Sequence, residues 1–286
     1  MLLLCRHGET EANREHIIQG QSESDLTATG RAQAAALGQE LCRRAGSGEG
    51  PPLALTVYSS DLRRARDTAA AAVDALVGAG VVPAGALRLA TDERLRERRL
   101  GALQGRTAKE ARSRWPQAYS SSPPCEGRAL VPAGVHLLSS LRRSHLITVP
   151  VSQLWRAFQS DDGGAAAPCS SEPGADENGG IESADEVRRR AGAALAEIAA
   201  AHAGQRVVVV SHGGCIHSAI MAVCTDLSDV AHIGNCSITT LVPAAAGSPW
   251  ACDGPDDAFL PAALGGAATN ADLSRACPNP SEVPKA

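Results

Sequence analysis

Residues 1–10 read MLLLCRHGET, and this stretch governs the interpretation of the rest of the chain. Its first five residues form an apolar run of the length of a buried strand, which stops at a polar cluster. In open α/β sheets, ligands bind just beyond the carboxyl ends of the strands. The sequence therefore predicts an N-terminal strand that delivers Arg6 and His7 to a binding site.

Strand-like and helix-like segments alternate along the remainder of the chain. Short apolar runs predict the later strands, at residues 53–58, 87–90, 206–210 and, as a candidate edge strand, 236–242. Apolar spacing and capping residues, among them Thr27 and the capping box of Ser183 and Glu186, predict the helices. These cover residues 29–44, 62–76, 184–203 and 216–224. The alternation predicts an α/β fold with a mostly parallel sheet flanked by helices on both faces.

Two regions interrupt this alternation. Residues 115–180 are rich in Ser, Pro, Gly and Ala, and we predict that they form an irregular insertion. From residue 243 onward the chain is rich in Pro, Ala and Gly, which predicts a disordered tail over 243–286. The predicted organisation is a single domain, 1–242, interrupted by one insertion and followed by a tail.

The composition argues against several classes of protein. The formal net charge of −4 gives no positive field to recruit nucleic acid or anionic lipid, and no apolar run approaches the ~20 residues of a membrane span. Nine cysteines without a CxxC pair indicate free thiols in a reducing compartment, so we expect a cytoplasmic protein. A cleaved targeting peptide is not expected, because Arg6 and His7 lie so near the start.

The string Arg6-His7-Gly8-Glu9-Thr10 resembles the RHG motif of the histidine phosphatase superfamily, which includes the phosphoglycerate mutases. Further family-like motifs follow in the family's order: IIQG at 17–20, LTATG at 26–30, YSSDLRRA at 58–65, LRERRLGALQG at 95–105 and SHGG at 211–214. The resemblance covers roughly residues 1–112 and 181–242. It implies the phosphoglycerate mutase-like three-layer sandwich.

The resemblance also implies catalytic roles. His7 would be the nucleophile that accepts a phosphoryl group, and Glu97 would protonate the leaving oxygen. Arg6 and Arg64 would bind the phosphoryl oxygens, and His212, if protonated, would add further donors. Arg64 is chosen over Arg63 by its position in the SSDLRR motif. Phosphoryl transfer needs such groups, because a neutral imidazole is a competent nucleophile and guanidinium forks match phosphate oxygens.

Secondary contacts to phosphate or substrate are implied in the same way for Asn13, Gln19, Gly20 and Gly213. We expect neither a metal nor a cofactor, since HGGCIH at 212–217 lacks the ligand spacing of zinc sites and the chain has no P-loop or GxGxxG motif. The expected partner is a small phosphorylated metabolite, and its identity and the oligomeric state stay open.

Two forms of the reaction fit these motifs. Phosphatases transfer the phosphoryl group to water, whereas mutases return it to a bound sugar acid. Ala12 and Gly214 stand where mutase-like members usually carry Trp and Asn, and GGIES at 179–183 resembles the GGES motif of the phosphatase-type branch. These features favour hydrolysis, whereas the match of ERRLGALQG to the mutases keeps mutase activity as the alternative.

A third reading comes from the segment 119–153, which has no counterpart in the family. Its Pro and Ser content and lack of sustained periodicity distinguish it from the flanking motifs. On this reading the chain is a non-catalytic or misfolded relative, or the segment is an artefact of the gene model.

Overall fold

The computed structural model describes residues 1–48, 50–116, 119, 180–225, 233–244 and 248–260. The strands are β1 Leu2–Arg6, β2 Thr56–Ser59, β3 Arg88–Thr91, β4 Val207–Ser211, β5 Ile238–Val242 and β6 Ala251–Asp256. The α-helices are α1 Glu11–Arg14, α2 Ala28–Gly46, α3 Arg63–Gly78, α4 Ala108–Arg114, α5 Ala184–Ala201 and α6 Gly213–Val223. Two short 3-10 turns cover Glu93–Leu95 and Gly101–Leu103.

The six strands form one sheet in the order β3-β2-β4-β1-β5-β6. The first four of these run parallel, β5 is antiparallel to β1, and β6 is antiparallel to β5. In the β1–β4 register Arg6 lies opposite Ser211. The residues that follow these two strands, His7 and His212, therefore lie side by side at the same edge of the sheet. The predicted α/β fold with a mostly parallel sheet is confirmed.

Helices cover both faces of the sheet because both faces of its central strands are apolar. Alternate residues of β1 and β4 divide between two buried clusters, one that includes α5 and α6 and one that includes α2 and α3. Helices within each layer approach closely at glycine: a Cβ on Gly38 would lie 2.6 Å from that of Ala75, and one on Gly192 would lie 2.7 Å from that of Ala222. The core is thus built from small and aliphatic side chains, in agreement with an aromatic content of 2%.

The C-terminal part of the sheet differs from the prediction. We expected residues 236–242 as an edge strand and a disordered tail from residue 243. β6 pairs with β5 and becomes the edge, so the edge expectation is wrong, and the expectation of a disordered tail is wrong over residues 251–256. The open edge of β5 supplies hydrogen-bond partners to a segment whose Gly254 and Pro255 disfavour a strand by themselves. Residues 261–286 lie outside the part that the structure describes.

The predicted insertion at 115–180 lies almost entirely outside that part as well, and this includes nearly all of the segment 119–153. Two short helices precede the insertion in the chain. α1 begins at the N-cap Thr10, and α4 begins at a capping box of Thr107 and Glu110. Neither helix was predicted, since each is shorter than eight residues and lacks an apolar repeat. Within the described part of the chain, no helix is long and apolar enough to cross a membrane.

Candidate active site

His7 lies directly after β1 and is almost completely buried, with 3% of its surface exposed. Its backbone N–H donates to the carbonyl of Ser211 at 3.0 Å, which ties it to the end of β4. The ring Nδ1 lies 2.7 Å from the carbonyl of Gly8. Since a carbonyl only accepts, Nδ1 carries the proton and the lone pair is on Nε2. Burial, with the positive charges of Arg64 and Arg6, holds the pKa of His7 well below its usual value, so the imidazole is neutral.

His212 follows β4, and its ring centroid lies 5.1 Å from that of His7 at an interplanar angle of 60°. Its Nδ1 accepts a hydrogen bond of 3.2 Å from Arg64 Nε, and its Nε2 lies 2.9 Å from Ser60 Oγ. An arginine only donates, so Nδ1 is unprotonated and Nε2 carries the hydrogen. Burial and the charge of Arg64 lower the pKa of His212 well below its ordinary value. The ring of His212 is therefore neutral, so the additional donors of a protonated ring are missing, and its part in phosphate binding stays a prediction.

Arg64 is 1% exposed and lies in the first turn of α3. Besides His212, its guanidinium donates to the carbonyls of Ser22 at 2.7 Å and Gly20 at 2.8 Å. Burial is the largest cause that lowers its pKa to about 10, which leaves it charged at neutral pH. The neighbouring Arg63 is exposed and pairs with Asp25. Of the two arginines in the motif, Arg64 is the one that lies among the histidines.

Arg6, the last residue of β1, and Glu97, from the segment after β3, complete the cluster. The Arg6 guanidinium donates to the Ile233 carbonyl at 2.7 Å and lies beside Gly213, where a Cβ would be 3.6 Å from Arg6 Nε. Glu97 Oε2 accepts from the backbone N–H of Gly214 at 3.0 Å, and Oε1 accepts from its neighbour Arg98 at 2.8 Å. The Glu97 carboxyl group therefore lies at the N-terminus of α6.

The four secondary residues divide into two kinds. The backbones of Gly20 and Gly213 shape the site: Gly20 adopts a positive φ of 50° where its carbonyl meets Arg64, and Gly213 gives room to Arg6. The side chains of Asn13 and Gln19 differ in what they contact. Asn13 Oδ1 accepts from Thr10 Oγ1 and N–H at 3.0 and 3.2 Å, which caps α1, and Gln19 Oε1 is buried without a partner within the described part of the chain. Their contact with substrate stays a prediction.

The RHG and LTATG motifs contact each other directly. A Cβ on Gly8 would lie 2.5 Å from the carbonyl oxygen of Gly30, and a Cβ on Gly30 would lie 1.9 Å from the carbonyl oxygen of Glu9. Gly8 N–H also donates to Thr68 Oγ1 at 3.1 Å. Any side chain at either glycine would push the segment after His7 away from α2. Each motif can be recognised in the sequence, but the contact between the two motifs is visible only in the fold.

Other residues of the site were missed by sequence reasoning. Ser60 lies inside a quoted motif, so its position beside His212 could have been suspected. Thr68, on α3, and Arg190, on α5, carried no local signal. Arg190 hydrogen-bonds the backbone of the Glu97 segment and pairs with Glu182 at 2.6 Å.

A cavity of about 470 Å³ lies beside this cluster, lined by Gln21, Ser22, Glu23, Leu62, Arg96, Arg99 and Gln104. Gln21 Nε2 donates to the Glu97 carbonyl at 3.0 Å, and the carbonyl of Ser22 accepts from Arg64, so residues that line the cavity contact both the Glu97 segment and Arg64. Across the described ranges, no three His, Cys, Asp or Glu side chains are grouped as a metal site requires.

The chain is similar to known proteins over most of its length. The family model for the histidine phosphatase superfamily (branch 1) matches residues 2–149 and 150–252. The chain is 31% identical over 240 residues to a metal-independent phosphoserine phosphatase of Arabidopsis thaliana, covering 84% of this chain and 75% of that protein. It is 31% identical over 217 residues to phosphoglycerate mutase-like protein 4 of the same plant, covering 76% of this chain and 68% of that protein.

Solved structures give the same result. The mycobacterial glucosyl-3-phosphoglycerate phosphatase in complex with VO3 superposes with a TM-score of 0.54 at 25% identity, covering 88% of this chain and 96% of that one. A phosphoglycerate mutase from Bacillus anthracis, with a TM-score of 0.56 at 21% identity and 92% and 96% coverage of the two chains, shares the fold. The protein belongs to the histidine phosphatase superfamily.

Proposed function

We propose that this phosphatase hydrolyses a small phosphate monoester through a phosphohistidine formed on His7. The observation that carries the proposal is the state of the His7 ring. Its Nδ1–H is bound to the Gly8 carbonyl and it is neutral, so Nε2 keeps its lone pair for attack on phosphorus. The guanidinium of Arg64 is fixed beside it by three hydrogen bonds, and that of Arg6 lies next to the same strand end.

The first step forms the bond between His7 Nε2 and phosphorus and breaks the ester P–O bond. Arg6 and Arg64 stabilise the charge on the phosphoryl oxygens, as phosphoryl transfer requires. Glu97 gives its proton to the departing alkoxide, which leaves as an alcohol into the adjoining cavity. In the second step Glu97 takes a proton from water, the oxygen of that water attacks phosphorus, and the P–N bond breaks to release inorganic phosphate.

The cavity bears on the class of alcohol that leaves. Arg96 donates to Asp61 at 2.7 Å, whereas the Arg99 guanidinium donates to the Gly180 carbonyl and interacts electrostatically with the more distant Glu186. Glu23 contributes a carboxylate to the same cavity. A polar alcohol that carries a carboxylate and an amino or hydroxyl group fits these walls. The names of the relatives motivate phosphoserine and glucosyl-3-phosphoglycerate as the first esters to test.

The covalent intermediate is tested by rapid quench of the purified protein with a ³²P-labelled ester. We expect an adduct that is labile in acid and stable in base, and turnover that survives EDTA because arginines rather than a metal neutralise the phosphate. An adduct stable in acid, or activity that chelation removes and Mg²⁺ restores, would contradict the mechanism. Full-length protein that is folded but forms no adduct with any ester of a broad panel would favour the non-catalytic alternative.

Mutase activity is the second candidate, because ERRLGALQG at 97–105 resembles the mutases and because one similar protein is named phosphoglycerate mutase-like protein 4. The assay is conversion of 3-phosphoglycerate to its 2-isomer in the presence of 2,3-bisphosphoglycerate. We expect release of inorganic phosphate to exceed isomerisation, and the opposite ratio would assign the protein to the mutases.

The proposal places the reaction in the cytoplasm, and the six cysteines that the structure describes are free thiols.

A further inference from the structure

The segment that carries Glu97 has little regular structure, yet its backbone is held at every residue from 94 to 97. Most of these backbone contacts come from an ion pair between Arg190 on α5 and Glu182. Glu182 belongs to the GGIES string just before that helix. Arg190 Nε lies 2.6 Å from Glu182 Oε1 and Nη2 lies 2.9 Å from Oε2. Only 19% of the Arg190 side chain and 10% of the Glu182 side chain are exposed.

The remaining N–H groups of Arg190 donate to backbone carbonyls of this segment. Nη1 donates to Arg94 and Arg96, both at 2.7 Å, and Nη2 donates to Glu97 at 3.1 Å. All five guanidinium donors are thus in use. The carbonyl that Arg190 does not reach, that of Leu95, accepts from Ser211 Oγ at 2.7 Å.

Glu182 holds the same segment on the other side of Glu97. Its backbone N–H donates to the carbonyl of Arg99 at 2.9 Å, and its Oε2 accepts from the Arg99 N–H at 3.1 Å. Its own carbonyl accepts from Arg98 Nε at 2.6 Å. Arg190 thus binds the backbone up to Glu97, and Glu182 binds the two residues that follow it. These two sets of hydrogen bonds are joined by the ion pair between Arg190 and Glu182.

We propose that Arg190 and Glu182 are positioning residues that hold the Glu97 carboxyl at the place where the leaving oxygen must be protonated. This inference rests on the proposed role of Glu97. Removing charges from water is costly, and apolar residues of similar size often stabilise a protein as well as a buried ion pair does. Here the guanidinium has a further function, since no apolar side chain can bind three carbonyls at once. A proton donor displaced by about 1 Å loses much of its effect.

The test is a double-mutant cycle of Glu97→Gln and Arg190→Met, read as kcat/KM on two esters. One ester has a poor alkoxide leaving group, and the other is p-nitrophenyl phosphate, whose leaving group barely needs a proton. We expect Arg190→Met to lower kcat/KM about 10- to 100-fold on the alkyl ester and less than about 3-fold on p-nitrophenyl phosphate. On the alkyl ester the double variant should lose little beyond Glu97→Gln alone, because both changes remove the same proton transfer. Arg189→Met, an exposed arginine of the same helix, is the matched control and should change neither rate.

The outcomes separate the two proposals. If Glu97→Gln loses equally on both esters, the proposed role of Glu97 fails. If Glu97→Gln is selective but Arg190→Met loses equally on both esters, or its loss adds to that of Glu97→Gln, the positioning role is wrong and Arg190 is structural. Should Arg190→Met not fold, Arg190→Lys replaces it: it keeps the charge opposite Glu182 but has three donors in place of five. A thermal melt near that of the wild type with a selective loss on the alkyl ester supports the inference, whereas full recovery of the alkyl-ester rate contradicts it.

Discussion

The two halves of the candidate active site are positioned in different ways. His7 and His212 follow adjacent parallel strands, so the sheet itself brings them together. Glu97 lies on an irregular segment whose backbone is bound by a side chain from α5. The first half thus depends on the fold as a whole, and the second on one ion pair. We expect changes in the first half to affect all esters alike, and changes in the second to depend on the leaving group.

The largest effect should come from the nucleophile at the strand end. We expect His7→Ala to lower turnover by at least about 10⁴-fold on every ester, since removal of a nucleophile has effects of this size. Steady-state kinetics and the quench experiment measure it together, and the labelled adduct should disappear. His202→Ala is the control, because the His202 ring is hydrogen-bonded to Tyr58 and Gln205, outside the candidate active site. Turnover of His7→Ala near that of the wild type would exclude the covalent mechanism.

The next effect concerns the buried arginine of the same half. Arg64→Met should reduce kcat/KM about 10²- to 10³-fold, because it removes a charged donor to the transition state. The loss should be the same for alkyl and p-nitrophenyl esters, in contrast to that of Arg190→Met. Arg63→Met changes the adjacent exposed arginine, whose ion pair with Asp25 has little energetic value, and should leave kcat/KM within about twofold. Comparable losses in the two variants would contradict the assignment of Arg64.

A change of stability should follow from the contact between Gly30 and the segment after His7. Gly30→Ala places a Cβ 1.9 Å from the carbonyl oxygen of Glu9, so backbone must move. We expect a loss of about 1–3 kcal/mol in the free energy of unfolding, measured by urea denaturation, with a fall in activity. Gly46→Ala is the matched control on the same helix, where a Cβ meets nothing within 4 Å. Equal stabilities of the two variants would show that α2 does not constrain the strand end.

The most gradual effect is a dependence of stability on pH. His7 and His212 have a lowered pKa in the folded chain, whereas both titrate near 6.5 when unfolded. Below pH 6.5 the unfolded chain therefore binds protons that the folded chain does not. The free energy of unfolding should fall with falling pH by up to about 1.4 kcal/mol per unit for each histidine, and neither contributes above that pH.

Urea denaturation in phosphate-free buffer at pH 7.5, 6.5 and 5.5 measures this slope. His7→Gln should make the dependence on pH shallower, because it removes one of the two buried imidazoles. An unchanged slope in His7→Gln would mean that the folded chain protonates His7 as readily as the unfolded chain does.

Much of the fold could be predicted because its signals are local. The valine run of β4 is buried along its whole length, as a strand with helices on both sides should be. Thr27 accepts a hydrogen bond from the Gly30 N–H and begins α2, and Ser183 with Glu186 forms the capping box that begins α5. The valine run is contiguous and each cap joins residues three positions apart, so the sequence displays these features directly.

The candidate site was predictable to a lesser degree. The motifs named His7, Arg64 and His212, and the structure places these three side chains together. The state of His212 was not predictable, because its neutral ring follows from burial and from the direction of the Arg64 donor. The cap that Asn13 forms on α1 was equally hidden, since a motif does not show which atom of an amide is engaged.

What the sequence determined by itself is the alternation of strands and helices and the position of Arg6 and His7 at a strand end, because these depend on neighbours along the chain. The tertiary structure alone decided that β6 is the edge strand and that Arg190 holds the segment of Glu97. Arg190 and the carbonyl of Arg94 are separated by 96 residues. A backbone carbonyl has no residue identity, so no pattern of side chains along the chain can show which donor will reach it once the chain is folded.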